Sequence, residues 1–331
     1  MKPLRLTATL AAALAAAALL TAPLAAQERL RLGHHHAVGG MIDQTANKFA
    51  DLVREKTGGT VEVQIIPAAQ LGQERELFDL LNNNGVDATL TSLGHMDSYY
   101  GPITVTSYPF AFRSWEHASN ALRGEFGDRI KDGVAANSNA EIVGWLEVGF
   151  RDLIFRGEPI TSLAGMQGVN MRSAESQTWI RMYELMGARP TPVTWGEIYL
   201  AMQTGVLQGL DSPAFAALDM KFNEVTSSLV KTNQMFAAMG IVVNQNRLAR
   251  LTPEQQAAIR EAGDEAGIWV NETILVPGAE VAYARMEELG MAVVEPENPE
   301  EWQAAMRPLW EELSARHPGS EELLEILLAT E

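Results

Sequence analysis

The chain has 331 residues, of which 47% are hydrophobic and 7% aromatic, so it is long enough for two ordinary domains with full cores. It contains no cysteine, which excludes a disulfide framework, a thiolate metal site and a cysteine nucleophile. Its formal net charge of -17 disfavours binding to nucleic acid or anionic lipid, so an anionic ligand requires a local cationic site.

The first residues have the pattern of an export signal. Lys2 and Arg5 form a basic start, residues 6–20 are an Ala/Leu run, and small residues precede Gln27. The apolar run is shorter than the roughly 20 residues that a membrane span needs, although an uncleaved anchor is the alternative. We therefore predict a signal peptide over residues 1–26 and an exported protein that does not insert into the membrane after cleavage.

Apolar spacing in the first part of the chain predicts strands and helices in regular alternation. The predicted strands are residues 29–33, 61–65 and 86–90, and the predicted helices are residues 41–56, 74–81 and 116–122. Such alternation favours an α/β sheet with helices on both faces.

The pattern breaks near Gly149-Phe150-Arg151, which predicts a turn between strands at 142–146 and 152–155. Alternation then resumes, with strands near 169–171 and 235–244 and with helices at 178–186 and 197–204, each ended by a glycine. Two similar α/β halves joined by a strand-like crossover predict a hinged protein of two lobes.

The last part of the chain is mainly helical. Thr252 and Pro253 are a strong helix start, and the helix extends toward Leu289 with an interruption at Pro277-Gly278. A short strand at 291–294 and helices at 299–317 and 320–329 follow. We predict lobe I from residues 27–148 and 237–277, lobe II from 149–236 and 278–304, and C-terminal helices in 305–331 that pack across the lobes.

Arg172 follows a predicted strand and precedes Ser173 and Ser176, which can cap the next helix. In open α/β sheets, ligands bind outside the carboxyl ends of strands, near helix N-termini. The planar guanidinium can also pair two donors with one carboxylate. A salt bridge to Glu175 is the alternative.

Arg151 lies in the predicted hinge between two apolar strands, where a buried charge must be paired. It either contacts a ligand or forms an ion pair with a nearby acid. The acids that we consider are Glu147, Asp152 and Glu158.

Three further candidates lie near predicted helix starts. Thr194 and Glu197 match a capping box, which is a structural role that needs no ligand. Trp195 either stacks on an apolar side of a ligand or packs under its loop. Asp211 lies beside the helix start at Pro213, where a negative charge is favourable in any case.

The histidine run invites a metal site, because imidazole is a common metal ligand. In an extended segment only His34 and His36 share a face, and a site would need distant ligands such as His95 or Asp97. We favour no metal: the loop 33–40 lines a cleft and offers a histidine as donor, with Ser92 and His95 at another strand end as companions.

Catalytic motifs are absent from the sequence. It contains no G-x-S-x-G, H-E-x-x-H, P-loop or G-x-G-x-x-G pattern. We therefore predict neither an enzyme nor a cofactor.

Several segments, in order and spacing, resemble the substrate-binding proteins of tripartite ATP-independent periplasmic (TRAP) transporters, of the DctP type. They are residues 30–33, 58–59, 67–72 (Pro-Ala-Ala-Gln-Leu-Gly), 108–112 (Tyr-Pro-Phe-Ala-Phe), 149–151, 168–172, 190–199, 201–205 (Ala-Met-Gln-Thr-Gly) and 209–213. The resemblance covers nearly all of the chain after residue 26, and it is most specific between Pro67 and Pro213.

The resemblance implies a periplasmic protein of two α/β lobes, joined by crossing strands and braced by a long helix. It would close around a small organic acid and deliver it to the TRAP permease. It also implies that Arg172 clamps a carboxylate, that Arg151 assists, and that residues 195–197 line the cleft. An asparagine is usual in the family where this chain has Asp211.

An ionised aspartate accepts hydrogen bonds but repels a second carboxylate. We therefore expect a ligand with one carboxylate at Arg172 and a hydroxyl or ammonium donor at Asp211, such as a sugar acid, a hydroxy acid or an amino-acid-like compound. The alternatives are a periplasmic enzyme that uses Glu197 or a histidine as base, and a sensory subunit.

Overall fold

The computed structural model describes residues 27–331, so the predicted signal peptide lies outside the described residues. The strands are β1 (Glu28–Gly33), β2 (Val61–Ile66), β3 (Ala88–Ser92), β4 (Ala140–Phe155), β5 (Asn170–Ser173), β6 (Arg189–Pro192), β7 (Gly209–Ser212), β8 (Ser228–Asn244) and β9 (Ala292–Val294). The helices are α1 (Met41–Lys56), α2 (Glu74–Asn82), α3 (Trp115–Arg123), α4 (Glu125–Asn137), α5 (Gln177–Leu185), α6 (Ile198–Thr204), α7 (Ala214–Asp219), α8 (Gln245–Leu248), α9 (Pro253–Val270), α10 (Val276–Glu288), α11 (Pro299–Arg316) and α12 (Ser320–Ala329).

The strands are connected in the order β2-β1-β3-β8-β4-β7-β5-β6, and β9 also pairs with β8. Strands β1 to β3 pair in parallel, as do β5 to β7, and these two groups are the sheets of the two lobes. Between them, β4 and β8 pair antiparallel over most of their length and pass through both groups. The predicted α/β fold of two lobes with crossing strands is confirmed.

The carboxyl ends of the two parallel groups meet near the middle of the crossing strands. Ser92, at the end of β3, lies opposite Met239 of β8, and Ser212, at the end of β7, lies opposite Asp152 of β4. The segment of β4 between Glu147 and Asp152 therefore passes between the two sets of strand ends. This is where an α/β sheet places a ligand.

The predicted turn at Gly149 is wrong, because β4 is one continuous strand of 16 residues. Its pairing with β8 shifts register after Ile142, after Glu147 and after Arg151. Gly149 has a φ of +106°, which favours glycine, so the turn-like sequence marks an irregularity within the strand.

The long helix begins as predicted: Thr252 and Gln255 form a capping box, and Pro253 is the first helical residue. It is interrupted by a π-helical turn over Asn271–Leu275 and continues as α10. Pro277 has no N–H to donate, and its ring clashes with the carbonyl four residues before it. The irregularity therefore falls in the turn that precedes the proline.

The C-terminal helices contact several parts of the fold. The indole Nε1 of Trp310 donates to the carbonyl of Pro109, and Glu312 pairs with Arg181 of α5 at 2.8 Å. The residue boundaries that we assign to the lobes, and the packing of 305–331 across them, stay predictions. Of the helices in residues 27–331, none has the length and apolar character needed to span a membrane.

Candidate functional site

Two adjoining cavities lie where the strand ends meet, with volumes of about 70 Å³ and about 50 Å³. Both are lined by Glu74, Ser92, Arg151 and Trp195, so they form one site with two compartments. A larger open groove of about 660 Å³ lies elsewhere, around Phe110 and Trp302, and none of the predicted site residues lines it.

Arg172, near the end of β5, lines the smaller cavity and is only 5% exposed. Its Nε donates to the carbonyl of Val193 at 2.9 Å, and its guanidinium lies 5.7 Å from the ring centre of Trp195. Within residues 27–331 no acidic side chain forms a salt bridge with it, Glu175 included. Burial lowers the pKa of Arg172 to about 10, against the attraction of Asp211, so the group stays charged at neutral pH.

Arg151 lies on β4 beside Arg172 and is paired within the protein. Its Nε donates to Oδ2 of Asp211, and its Nη2 donates to the backbone carbonyl of the same residue. The partner is thus Asp211 rather than Glu147, Asp152 or Glu158. The guanidinium also lies 5.7 Å from the ring centre of Trp179, which fixes it at the boundary of both cavities.

The expectation that Asp211 faces a donor group of the ligand is corrected by its surroundings. Asp211 is fully buried and lines neither cavity. Its Oδ1 accepts from the hydroxyl of Tyr183 at 2.7 Å, and its Oδ2 accepts from Nε1 of Trp179 at 3.3 Å as well as from Arg151. Burial opposes ionisation, but the charge of Arg151 and these hydrogen bonds lower the pKa of Asp211 overall. Asp211 therefore positions Arg151.

Glu74, at the start of α2, organises the opposite wall. Its Oε1 accepts from the backbone N–H of Ser92, and its Oε2 lies 3.2 Å from Nε2 of His95 and 3.6 Å from Nε2 of His35. Ser92 and His95 thus lie at the cavities: Ser92 lines both, and His95 lines the smaller one. Sequence reasoning missed Glu74, although a helix start that follows a strand was an available signal.

The histidine run is arranged differently from the prediction. His34 is fully buried, its Nε2 lies 3.1 Å from Oδ1 of Asp43, and it lines neither cavity. His35 and His36 line the larger cavity instead, with ring centres 4.1 Å apart. Side chains alternate between two faces only within a strand, and β1 ends at Gly33, before the histidines. Burial lowers the pKa of both His35 and His36, which favours their neutral forms.

Trp195 lines both cavities, with its ring centre 6.3 Å from that of His36 and 5.4 Å from that of Phe222. Glu197 is exposed and lines neither cavity, so its predicted place in the cleft is wrong. Its Oε2 accepts from the hydroxyl of Thr194 at 2.8 Å, while the side chain of Thr194 accepts no capping hydrogen bond from a backbone N–H of the first turn. This hydrogen bond links the two side chains across the loop but does not cap a helix.

The chemistry of the site is that of anion binding. Among the described residues it combines Arg172, which has no acidic partner, with Arg151, which is held by Asp211, and with the indole of Trp195. The carboxylate of Glu74 also lines the site, but it is already hydrogen-bonded to Ser92 and near two histidines. In the part of the chain that the structure describes, no group of three or more His, Asp and Glu side chains is placed to hold a metal ion. Across the same residues, the serines at the cavities form no hydrogen bond to a histidine, so no activated hydroxyl is assembled.

Comparisons with known proteins relate the chain to periplasmic solute-binding proteins. The chain is 25% identical over 287 residues to the sialic acid-binding periplasmic protein SiaP of Vibrio cholerae, which covers 86% of this chain and 88% of that protein. It is 26% identical over 278 residues to the 2,3-diketo-L-gulonate-binding periplasmic protein YiaO of Escherichia coli, with 84% of each chain covered.

A TRAP periplasmic solute-binding protein of Roseobacter denitrificans, solved with bound beta-D-glucuronate, superposes with a TM-score of 0.88 at 25% identity, over 92% of this chain and all of that one. A TRAP solute-binding protein of Sulfitobacter, solved with bound alpha-D-taluronate, gives a TM-score of 0.85 at 26% identity, over 91% of this chain and 97% of that one. The model of the DctP family matches residues 32–317. The resemblance and the predicted location outside the cytoplasm are therefore confirmed, and the chain belongs to bacterial extracellular solute-binding protein family 7, the DctP family of TRAP transporter receptors.

Proposed function

We propose that this protein is a periplasmic receptor that binds a small carboxylic acid between its lobes and does not transform it. The observation that carries the proposal is Arg172, a buried cation that faces the cavity without an acidic partner in the described residues. A buried charge of this kind is stable only when an opposite charge reaches it. The carboxylate of the ligand supplies that charge.

The geometry of the guanidinium suits a carboxylate. Nε of Arg172 is used by Val193, which leaves the terminal nitrogens to donate to both oxygens of one carboxylate. Arg151 lies beside it and adds positive potential, with its own charge balanced by Asp211. Truncating one partner of such a buried pair typically costs about 2 to 5 kcal/mol of binding free energy.

The relatives support an acid as the ligand. Gulonate, glucuronate and taluronate all carry one carboxylate, and so does sialic acid. Sugar acids, hydroxy acids and amino-acid-like compounds all fall within the proposed class. The solved TRAP receptors also support delivery of the ligand to a TRAP permease as the role of this chain.

Thermal-shift measurements on the mature protein with a panel of organic, sugar and amino acids test the ligand class. A ligand present at 100 times its dissociation constant adds about 2.7 kcal/mol to the free energy of unfolding. We expect Arg172→Lys to lose this stabilisation, because lysine cannot pair bidentately with a carboxylate. The exposed Arg54→Lys serves as control and should respond like the wild type.

A flat panel with folded wild-type protein, or normal binding by Arg172→Lys, would contradict the proposal. Ligand released by denaturation and identified by mass spectrometry separates a receptor from an enzyme. Recovery of the unchanged acid after long incubation supports the receptor, and recovery of a product shows catalysis.

A further inference from the structure

The two cavities of the site have different linings. The smaller one is lined by Arg172, His95 and Ser176 together with Trp179 and Trp195, so polar and apolar groups contribute about equally to its surface. The larger one is not lined by Arg172, and most of its surface comes from hydrocarbon and thioether groups, among them those of Met41, Ile42, Val148, Met220, Ala237 and Met239. We call this second cavity the apolar compartment. It opens from the smaller one past Arg151 and Trp195, which line both.

Several polar groups around the apolar compartment are engaged within the protein. Both carboxylate oxygens of Glu74 are occupied by Ser92 and the two histidines. Arg151 is paired with Asp211, and Asp219 at the rim accepts from the N–H of Met41 at 3.4 Å. His36 is packed against the rings of His35 and Trp195. Nδ1 of His35 and Nε1 of Trp195 are buried there without a partner among the described residues, so this side offers a ligand two buried nitrogens, too few for a hydroxyl on every carbon.

We propose that the ligand is a monocarboxylic acid with a hydrocarbon body, whose carboxylate lies at Arg172 and whose carbon chain or ring occupies the apolar compartment. This inference rests on the proposed function, since it needs the carboxylate at Arg172 to orient the molecule. It narrows the ligand class from acids in general to acids with a substantial apolar part.

The two ends of the ligand lose different interactions when they leave water. A hydroxyl group placed against Met239 and Ile42 gives up its hydrogen bonds to water without replacement, which is unfavourable. A methylene group buried in the same position raises the affinity of the ligand about fourfold. The three methionines are flexible and polarisable, so the compartment can adapt to straight, branched or ring-shaped bodies. About 10 to 15 Å³ of cavity holds one water-sized group, so about 70 Å³ accommodates several.

Isothermal titration calorimetry with a graded series of acids tests the inference. The probes are acetate, butyrate, hexanoate and phenylacetate, with D-glucuronate as the hydroxyl-rich comparator. We expect the dissociation constant to fall about fourfold per added methylene until the compartment is filled. Hexanoate or phenylacetate should bind at least tenfold more tightly than D-glucuronate.

Two variants locate the effect in the apolar compartment. Ala237→Leu fills part of the cavity and should weaken the binding of the longest acids by tenfold or more relative to that of acetate. Met220→Gln keeps the length of the side chain but adds an amide, and it should flatten the dependence on chain length. The matched control is Leu200→Gln, on an exposed side chain outside the site, which should leave the series unchanged. Circular dichroism confirms that each variant is folded.

The outcomes separate the two proposals. If acids bind and need Arg172, but D-glucuronate binds most tightly and chain length has no effect, the apolar-body inference is overturned while the receptor function stands. If no carboxylate binds, or if Arg172→Lys binds normally, the proposed function itself fails. Chain-length dependence that persists unchanged in Ala237→Leu also overturns the inference, because the hydrocarbon then lies elsewhere.

Discussion

At the scale of single residues, the two arginines of the site do different work. Arg172 has no acidic partner in the described residues, whereas Arg151 is tied to Asp211 through its Nε. Asp211 is itself held by Tyr183 and Trp179, so three protein donors fix one carboxylate. The negative charge beside the site is therefore already used, and it orients Arg151 rather than a ligand.

The variant Asp211→Asn tests this role. It keeps the size of the side chain but leaves Arg151 as a buried charge without its partner, so we expect the free energy of unfolding to fall by about 3 to 5 kcal/mol. Asp51→Asn is the control, because Asp51 pairs with Arg54 on the surface, where such pairs contribute under about 1 kcal/mol. Urea denaturation measures both. Equal, small losses would show that the pair in the site is not energetically important.

At the scale of elements, glycines allow helix α9 to pack unusually close to strand β4. A Cβ added to Gly267 would lie 2.4 Å from the carbonyl oxygen of Trp145, and one added to Gly263 would lie 2.7 Å from that of Val143. Opposite them, a Cβ on Gly144 would lie 2.1 Å from the carbonyl oxygen of Gly263. Backbone meets backbone at this contact, so neither side can move aside cheaply.

The pair of variants Gly267→Ala and Gly278→Ala tests the contact. Alanine is favoured over glycine in a helix by about 1 kcal/mol, so on helix propensity alone both changes would stabilise the protein. Gly278 has no atom within 4 Å of the added carbon, and we expect the gain there. At Gly267 the clash with the carbonyl of Trp145 should outweigh the gain in helix propensity, so the thermal midpoint should fall. A rise in both variants would show that the helix and strand are farther apart.

The sequence predicted elements best where local signals agree. Met41–Lys56 matches the predicted helix to the residue, and the Thr252 cap forms as expected. Helix Glu125–Asn137 was missed because it contains Gly127 and Gly133 and its N-cap, Gly124, offers no side-chain cap. The prediction of a turn at Gly149 failed because a strand irregularity and a turn use the same residue types.

Within the site, strand ends were predictable and partners were not. Arg172, Ser92 and His95 could be placed because each lies at or just after the carboxyl end of a strand in a sheet of this class. The pairing of Asp211 with Arg151 joins residues 60 positions apart, and pairing at that distance leaves no local pattern in the sequence. His35 lines the site in place of the predicted His34 because β1 ends at Gly33. Element boundaries are the least certain part of any such prediction.

At the scale of the whole molecule, Asp152 connects both crossing strands to the long helical region. It lies on β4, its Oδ1 accepts from the N–H of Asn233 on β8 at 3.0 Å, and its Oδ2 accepts from the hydroxyl of Tyr283 on α10 at 2.6 Å. Burial raises the pKa of Asp152 to about 7 despite these donors and the nearby charge of Lys231, and Glu295 adds to the rise.

A carboxyl group whose folded pKa is raised binds its proton more tightly in the folded state. Its contribution to stability is therefore complete below about pH 4 and is lost as the pH rises to about 7. Relative to Asp152→Asn, the wild type should lose stability over that interval, by no more than about 4 kcal/mol. Urea denaturation of both proteins from pH 4 to 8 measures the difference. A difference that is constant with pH would contradict the raised pKa.

Arg172 also has a consequence for the unliganded receptor. Its charge lies near that of Arg151, which contributes to lowering its pKa, and burial has removed it from water. The receptor without its ligand thus carries unfavourable free energy that a fully apolar site would not have, and binding releases it. Functional sites commonly trade stability for activity in this way.

We therefore expect Arg172→Met to raise the thermal midpoint of the ligand-free protein while abolishing binding, because methionine fills similar space without a charge. Arg54→Met, at an exposed position, should change the midpoint little. A lower midpoint for Arg172→Met would mean that the arginine supports the fold by itself. With the expected result, affinity for the acid and stability without it are set against each other by one side chain.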